Sequence, residues 1–110
     1  MLGLMQDWSM TLDRVLDHAR TVFPNREIVT RSVEGPIVRT TYSALWARAR
    51  QASHALGELG VARGDRVATL AWNSARHMEV WFGAMGMGAV LHTLNPRLLP
   101  EQIAWIANHA

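Results

Sequence analysis

The fold class is decided by residues 67–94, which read VATLAWNSARHMEVWFGAMGMGAVLHTL. The stretch begins with Val67–Ala71 and ends with Ala89–Leu94, two runs rich in small apolar and β-branched residues. Val67–Ala71 lacks the alternation of apolar and polar residues that marks a half-exposed strand, and this is typical of a parallel strand covered on both faces. We therefore predict that the two runs are buried parallel strands.

A helix is predicted between these two strands. Asn73 or Ser74 can cap its start, because a short polar side chain at that position accepts a backbone hydrogen bond. Gly86 and Gly88 are suited to its end, where the chain often takes a left-handed conformation. The inward face of the helix is predicted to consist of Met78, Trp81, Phe82 and Met85. A strand, a helix and a strand over about thirty residues form a βαβ unit with a right-handed crossover, so we predict an α/β fold.

Three further helices are predicted around this unit. Apolar residues at helical spacing predict helices over residues 12–23 and 42–59, with Thr11 and Thr41 as their N-caps. Pro100 is suited to the first turn of a last helix. The residues expected to face the core are Leu12, Val15, Leu16, Ala19, Val22 and Phe23 in the first helix, Leu45, Ala49, Ala52, Leu56 and Leu59 in the second, and Ile103, Ile106 and Ala107 in the last.

The remaining strands come early in the chain. Glu27–Arg31 and Ile37–Thr41 are β-branched runs separated by a turn-forming segment, and they predict a hairpin or two short neighbouring strands. A chain of 110 residues, 49% of them hydrophobic and 18% charged, has the composition of one domain. Because only two parallel strands are firmly predicted, a doubly wound sheet would have uncovered edges. We therefore expect residues 1–110 to form one incomplete domain, with a mainly parallel sheet, flanking helices and no second domain.

Composition excludes several classes of protein. The chain has no cysteine, which excludes disulfide scaffolds, thiolate catalysis and cysteine zinc sites. Its net charge is only +2, and its arginines are spread along the chain among acidic residues, a poor pattern for nucleic-acid binding. No apolar run approaches the roughly 18 to 20 residues of a membrane span, and the first residues do not resemble a secretory signal. We expect a cytoplasmic protein with no membrane span and no nucleic-acid partner.

No catalytic, cofactor-binding or metal-ligating residue is predicted. The glycines of Gly83–Gly88 follow a helix and precede a strand, the reverse of a dinucleotide fingerprint, so they are expected to end the helix and to allow close packing. His92 lies near the carboxyl end of a predicted parallel strand, where open α/β sheets bind ligands, but we expect a hydrogen-bonded structural residue. Asn95 and Arg97 are expected to fix the loop after this strand, Asn95 by bonding its own backbone and Arg97 by holding a neighbouring carboxylate.

Three stretches of the chain resemble one enzyme family. They read RTTYSALWARA at 39–49, LGVARGDRVATLAWN at 59–73 and GMGAVLHTLNPRL at 86–98. In order and spacing, residues 12–110 resemble the amino-terminal region of the AMP-forming acyl-CoA ligases, members of the adenylate-forming enzymes. Residues 92–98 look most like the branch that acts on medium- and long-chain fatty acids. Ala44 departs from the glutamate that relatives often carry, which removes a reciprocal helix cap without consequence for function.

The resemblance implies a magnesium-dependent reaction in two steps. A carboxylate attacks the α-phosphate of ATP to give an acyl-adenylate and pyrophosphate, and the thiol of coenzyme A then displaces AMP. In this family the chemistry depends on a glycine-rich phosphate loop ending in lysine, an aspartate at the nucleotide, a metal-binding glutamate and a second lysine on a carboxyl-terminal domain. None of these motifs occurs in the chain, which has no lysine. We therefore expect the parent protein to use ATP, Mg²⁺ and coenzyme A, and the 110 residues alone to be inactive and to hold no cofactor.

Two interpretations follow. In the first, residues 1–110 are the amino-terminal portion of the large adenylate-forming domain of a fatty-acyl-CoA ligase, and in the second they are a free-standing α/β interaction or oligomerisation module without catalysis. The DNA after the codon for Ala110 separates the two, since an in-frame continuation supports the first. Open strand edges, the apolar arm Met1–Trp8 and the helix from Pro100 also predict self-association, as a dimer with or without exchanged elements.

Overall fold

The computed structural model describes residues 3–110, which form four helices and four strands. Met1 and Leu2, the first residues of the predicted arm, lie outside the described residues. The predicted order of elements is confirmed. In chain order the elements are α1 (Leu12–Val22), β1 (Glu27–Arg31), β2 (Ile37–Thr41), α2 (Tyr42–Glu58), β3 (Arg66–Leu70), α3 (Ala75–Gly86), β4 (Val90–Leu94) and α4 (Pro100–His109).

Strands β1 and β2 form the hairpin that was one of the two predicted arrangements. They pair antiparallel, with Glu27 opposite Thr41 and Arg31 opposite Ile37. The Ser32 hydroxyl closes the connecting loop by donating to a backbone carbonyl four residues ahead at 2.7 Å. The turn residues therefore reverse the chain, and the β-branched runs on either side pair as the two strands of a local hairpin.

The βαβ unit and the α/β fold class are confirmed. Strands β3 and β4 pair parallel, with Arg66 opposite Val90 and Leu70 opposite Leu94. Helix α3 connects them, and its N-cap is Ser74, whose hydroxyl accepts from the backbone N–H three residues later at 3.3 Å. Both strands therefore end at the same edge of the sheet, with the start of α3 close to that edge.

Helices α2 and α3 end in the same hydrogen-bond pattern. Each is followed by a left-handed glycine, Gly60 with φ of 89° and Gly88 with φ of 85°. After α2, the Val61 N–H donates to the Leu56 carbonyl at 3.0 Å, and the equivalent bond after α3 is also 3.0 Å. This is the Schellman motif, which glycine adopts without the steric penalty of a Cβ atom.

The core lies where α1, α2 and β1 meet α3. Its fully buried members are few, and partly buried side chains pack around them. Burial of these apolar groups supplies the main driving force for packing the helices together. The cluster consists of Leu16, Leu45 and Ala49, surrounded by Ile28, Tyr42, Trp46, Met78 and Phe82.

The contact between α2 and α3 is especially close. A Cβ atom at Gly83 would lie 2.8 Å from the Ala52 Cβ and 2.9 Å from the Ala49 carbonyl oxygen. The Ser53 hydroxyl, also on α2, donates to the Gly83 carbonyl at 2.7 Å. The close-packing role predicted for these glycines is confirmed at Gly83, and the helix-ending role at Gly88.

Several faces that were expected to be buried are exposed. Leu70 of β3 is 56% exposed and Val90 of β4 is 52% exposed, so the prediction that these strands are covered on both faces is wrong. Trp81, predicted to lie on the core face of α3, is 38% exposed. Periodicity shows which residues share a face, but it does not show whether a second element covers that face. The other predicted core residues that are exposed are Leu12, Val15, Val22, Phe23, Leu59 and Ala107.

Helix α4 packs only weakly on the remainder of the described chain. It begins at Pro100 as predicted, and the Gln102 side chain accepts from the Leu99 N–H at 3.1 Å. None of its residues is fully buried, and Trp105 is 66% exposed, with its ring stacked on His109 at 4.8 Å. The apolar surface of α4 therefore remains open to a neighbour.

The described helices are shorter than the roughly 20 residues of a membrane span. The longest is α2, with 17 residues, and it carries arginine within its length. Within residues 3–110 none of the helices has both the length and the apolar character that a membrane crossing needs.

Candidate functional site

A crevice opens at the carboxyl ends of β3 and β4. Open parallel sheets bind ligands at this edge, because the connecting loops leave space there. The crevice has a volume of about 520 Å³. It is lined by Val33, Ala71, Trp72, Asn73, His77, Trp81, Thr93, Leu94, Asn95, Pro96 and Arg97.

The loop after β4 forms one wall of the crevice. The Asn95 side-chain oxygen accepts from the Arg97 N–H at 3.0 Å, and the Asn95 carbonyl accepts from the Leu98 N–H at 3.2 Å. These two bonds hold a tight turn around Pro96. The prediction that Asn95 fixes this loop by bonding the adjacent backbone is therefore confirmed.

The prediction for Arg97 is wrong. Its guanidinium carbon lies 5.4 Å from the centre of the Trp72 ring, in a cation–π contact, and no carboxylate is among the described residues that line the crevice. An arginine beside an indole gains electrostatic attraction from the ring face without an acidic partner. Arg97 therefore connects the loop after β4 with the loop after β3.

His77 is a polar residue of this site that sequence analysis missed. It is only 7% exposed, and its Nε2 atom lies 2.9 Å from the Thr69 hydroxyl oxygen on β3. Its ring also meets the Trp81 ring edge to face, with centroids 5.8 Å apart. The available signal was the helical spacing of positions 77, 81 and 84, which puts His77 on the same face as Trp81 and the fully buried Ala84.

His92 lies outside the crevice lining. It is partly buried on β4, directly opposite Ala68 of β3, whereas the buried histidine that is hydrogen-bonded to this sheet is His77 of α3. The strand position of His92 was predicted correctly, whereas its hydrogen-bonded role was assigned to the wrong histidine. Strand position alone does not show which ring faces a partner.

A second depression, of about 470 Å³, lies between α1 and α2. Its wall includes Trp46, whose ring is contacted by two guanidinium groups, those of Arg20 at 4.2 Å and Arg50 at 4.9 Å. Arg20 is also paired with Asp17 at 2.8 Å. The contact between Arg20 and Trp46 joins α1 to α2, and the other two lie within one helix, so all three are explained by helix packing.

The crevice has the chemistry of a binding surface. It presents two indole rings, a guanidinium, two asparagine amides and one imidazole, which can stack, donate hydrogen bonds and attract negative charge. Throughout residues 3–110 no group of three or more His, Asp or Glu side chains is arranged to hold a metal ion.

The family comparison matches most of the chain. Residues 16–110 match the family described as AMP-binding enzyme. The long-chain-fatty-acid–CoA ligase of Thermus thermophilus is 49% identical over 106 residues, which is 96% of this chain and 20% of that protein. The 3-methylmercaptopropionyl-CoA ligase of Ruegeria lacuscaerulensis is 43% identical over 110 residues, again 20% of its length. The chain thus spans about one fifth of the curated relatives that it matches.

Solved structures agree with this. The N-terminal domain of FACL13 from Mycobacterium tuberculosis, in an inhibitor-bound crystal structure, superposes with a TM-score of 0.80 and 33% sequence identity. The match covers 89% of this chain and 24% of that one. The same arrangement of helices and strands therefore occurs in the amino-terminal domain of a solved relative.

Proposed function

Because the chain belongs to the family of AMP-binding enzymes, we propose that it is the amino-terminal portion of the large adenylate-forming domain of an acyl-CoA ligase. In the proposed reaction, the oxygen of a fatty-acid carboxylate attacks the α-phosphate of ATP, and pyrophosphate leaves. The sulfur of coenzyme A then attacks the acyl carbon of the adenylate, and AMP leaves. One observation carries the proposal, namely 40–49% identity to fatty-acid–CoA ligases across essentially the whole chain.

In this proposal residues 1–110 supply structure and one wall of a crevice, and other parts of the ligase supply the reacting groups. Support comes from a residue type that the chain lacks. The two lysines that the resemblance assigns to the phosphate loop and to the carboxyl-terminal domain cannot lie in this segment, because the chain has no lysine. ATP, Mg²⁺ and coenzyme A are accordingly assigned to the parent protein, and no catalytic, cofactor-binding or metal-binding residue is assigned to this segment.

The proposed substrate class is a medium- or long-chain fatty acid. The Thermus thermophilus relative, named for a long-chain substrate, supports this choice. The relative named for 3-methylmercaptopropionyl-CoA acts on a short acid and shows that high identity in this region is compatible with other acids. Because ATP and coenzyme A are cytoplasmic substrates, the parent is expected in the cytoplasm.

The test compares the 110-residue chain with the parent ligase. Pyrophosphate release is measured with ATP, Mg²⁺ and a series of acids from four to eighteen carbons. The parent is expected to release pyrophosphate with medium or long acids and to form the acyl-CoA when coenzyme A is added. The short chain is expected to stay at background. Release by the purified short chain that depends on the fatty acid would contradict the division of roles, and turnover of only short acids by the parent would contradict the substrate class.

We also propose that the isolated chain self-associates. Leu70 and Val90 on the sheet and Trp105 on α4 are exposed, as are Leu4 and Met5 of the arm, and burial of such apolar surface favours association. A two-fold dimer is the simplest closed arrangement. Light scattering at micromolar concentration is expected to give the mass of a dimer. A monodisperse monomer that unfolds cooperatively would contradict both self-association and the proposal that the domain is incomplete.

A further inference from the structure

His77 is a buried polar side chain to which the proposed ligase chemistry assigns no role. It lies on the first turn of α3, and its Nε2 atom is fixed 2.9 Å from the hydroxyl oxygen of Thr69 on β3. The ring also contacts the Trp81 ring edge to face, with the two ring planes 71° apart. The His77 imidazole therefore connects α3 with β3 and also contacts an aromatic side chain of α3.

His77 and Trp81 also separate two open spaces. On one side is the crevice at the carboxyl ends of β3 and β4, and on the other is a depression of about 460 Å³ next to β1. Asn73, His77 and Trp81 line both spaces. The Trp81 ring is 38% exposed and borders both spaces, and the His77 ring is one of the neighbours that can hold its orientation.

We propose that His77 is a positioning residue for the crevice. By bonding Thr69 it sets its own ring plane, and by its edge-to-face contact it holds the Trp81 indole as a fixed wall for the substrate that occupies the crevice. A wall that is already ordered spares the entropy of ordering it on binding, so the effect falls on affinity. This inference rests on the proposed function, since it requires a ligase substrate in the crevice.

Substitutions of His77 distinguish a positioning role from a purely space-filling one by their effect on kinetic constants. If His77 only filled space, leucine, a good helix former of similar size, would replace it with little effect on any kinetic constant. If His77 orients Trp81, leucine would fill the same space but would lose both the hydrogen bond to Thr69 and the ring that contacts Trp81. Glutamine, whose amide nitrogen reaches about as far as Nε2, would keep that bond.

The experiment uses the parent ligase, four single variants (His77→Leu, His77→Gln, Thr69→Val and Trp81→Leu) and the double variant that combines His77→Leu with Trp81→Leu. For each, kcat and the separate KM values for fatty acid, ATP and coenzyme A are measured, and circular dichroism confirms folding. His77→Leu and Thr69→Val are expected to raise one KM about tenfold and to leave kcat within about threefold, because an interaction equal in ground and transition states is lost. His77→Gln is expected to restore part of that KM, because it keeps the bond to Thr69 and lacks the ring that contacts Trp81. Trp81→Leu is expected to raise the same KM, and adding His77→Leu to it is expected to change little, since His77 acts through Trp81.

Three results would overturn the proposal. They are unchanged KM values in folded His77→Leu and Thr69→Val variants, a fall in kcat without a change in KM, and additive effects of His77→Leu and Trp81→Leu on KM. A parent that activates no carboxylic acid would instead refute the proposed function. An active parent with unaffected KM values refutes the role of His77 alone, so the two failures are distinguished.

Discussion

The contact between α2 and α3 and the parallel pair β3–β4 lie side by side in the molecule but differ in burial. On the helical side Leu45 is 2% exposed and Ala84 is fully buried, whereas on the sheet Leu70 and Val90 are more than half exposed. Burial of apolar surface contributes roughly 25 cal/mol per Å², so the helical side holds most of the stabilising contacts. The sheet is well formed by its backbone pairing, yet Leu70 and Val90 remain open to solvent.

The largest expected difference between these regions is in the loss of stability when a leucine of each is replaced by alanine. Leu45→Ala is expected to lower the free energy of unfolding by about 3 kcal/mol, because it removes buried methyl groups and leaves a cavity. Leu70→Ala is expected to cost less than about 1 kcal/mol, since its side chain already meets solvent. Urea unfolding of the 110-residue chain followed by circular dichroism measures both. Equal losses would mean that the sheet is buried in solution, which would remove the contrast.

The next effect probes how closely α2 and α3 approach. Gly83→Ala is expected to cost about 2 kcal/mol, because the new Cβ would contact the backbone and side chains of α2 and force the helices apart. Gly57→Ala is the matched control: it lies in α2 with nothing within 4 Å of its would-be Cβ atom, and it is expected to stabilise by about 0.5 kcal/mol. The same urea titration is used. If Gly83→Ala were as harmless as Gly57→Ala, the close contact would not exist in solution.

A smaller effect compares the starts of two helices. Ser74→Ala is expected to cost about 1 kcal/mol, because the Ser74 hydroxyl accepts the His77 N–H and its loss leaves that donor unpaired. Thr11→Ala, at the N-cap of α1, is expected to cost only a few tenths of a kcal/mol, since Thr11 makes no side-chain cap bond. Thermal unfolding at matched concentration compares them. A larger loss at Thr11 would reverse the predicted order of helix stability.

The smallest change in stability is expected on the open sheet. The double substitution Leu70→Gln and Val90→Thr is expected to alter the free energy of unfolding by less than about 0.5 kcal/mol, because both side chains are exposed. It is nevertheless expected to weaken self-association, since it removes apolar surface from the proposed contact. Light scattering over a concentration series measures this. If association were unchanged, the contact between copies would lie elsewhere. The exposed Trp105 on α4 would then be the next residue to substitute.

The sequence predicted the features that depend on neighbours along the chain. Ser74 as a cap, Gly88 as a helix end and the turn bond of Asn95 are all decided by a few adjacent residues and their backbone geometry. The same holds for the alternation of strand, helix and strand. These predictions needed no knowledge of distant contacts.

Features that depend on distant residues were predicted poorly. Trp81 has the spacing of a core residue, but its exposure is decided by whether another element covers that side of α3. Arg97 lies beside Trp72, twenty-five positions earlier, so its partner could not be inferred from the residues around it. His77 was missed because its partners, Thr69 on β3 and Trp81 one turn further along α3, form no motif with it in the sequence.

The glycine ends of α2 and α3 have a consequence for where the chain tolerates added residues. The Gly64 N–H donates to the Gly88 carbonyl at 2.9 Å, and the Val90 N–H donates to the Asp65 carbonyl at 2.7 Å, so both helix exits are tied to each other just before the strands begin. One inserted residue there would shift β3 against β4 and turn its side chains to the opposite face. In the hairpin loop the bond from the Ser32 hydroxyl to the Pro36 carbonyl is local, and Glu34 and Gly35 at the tip are exposed, which makes the tip the suitable place for a spectroscopic label or an epitope tag.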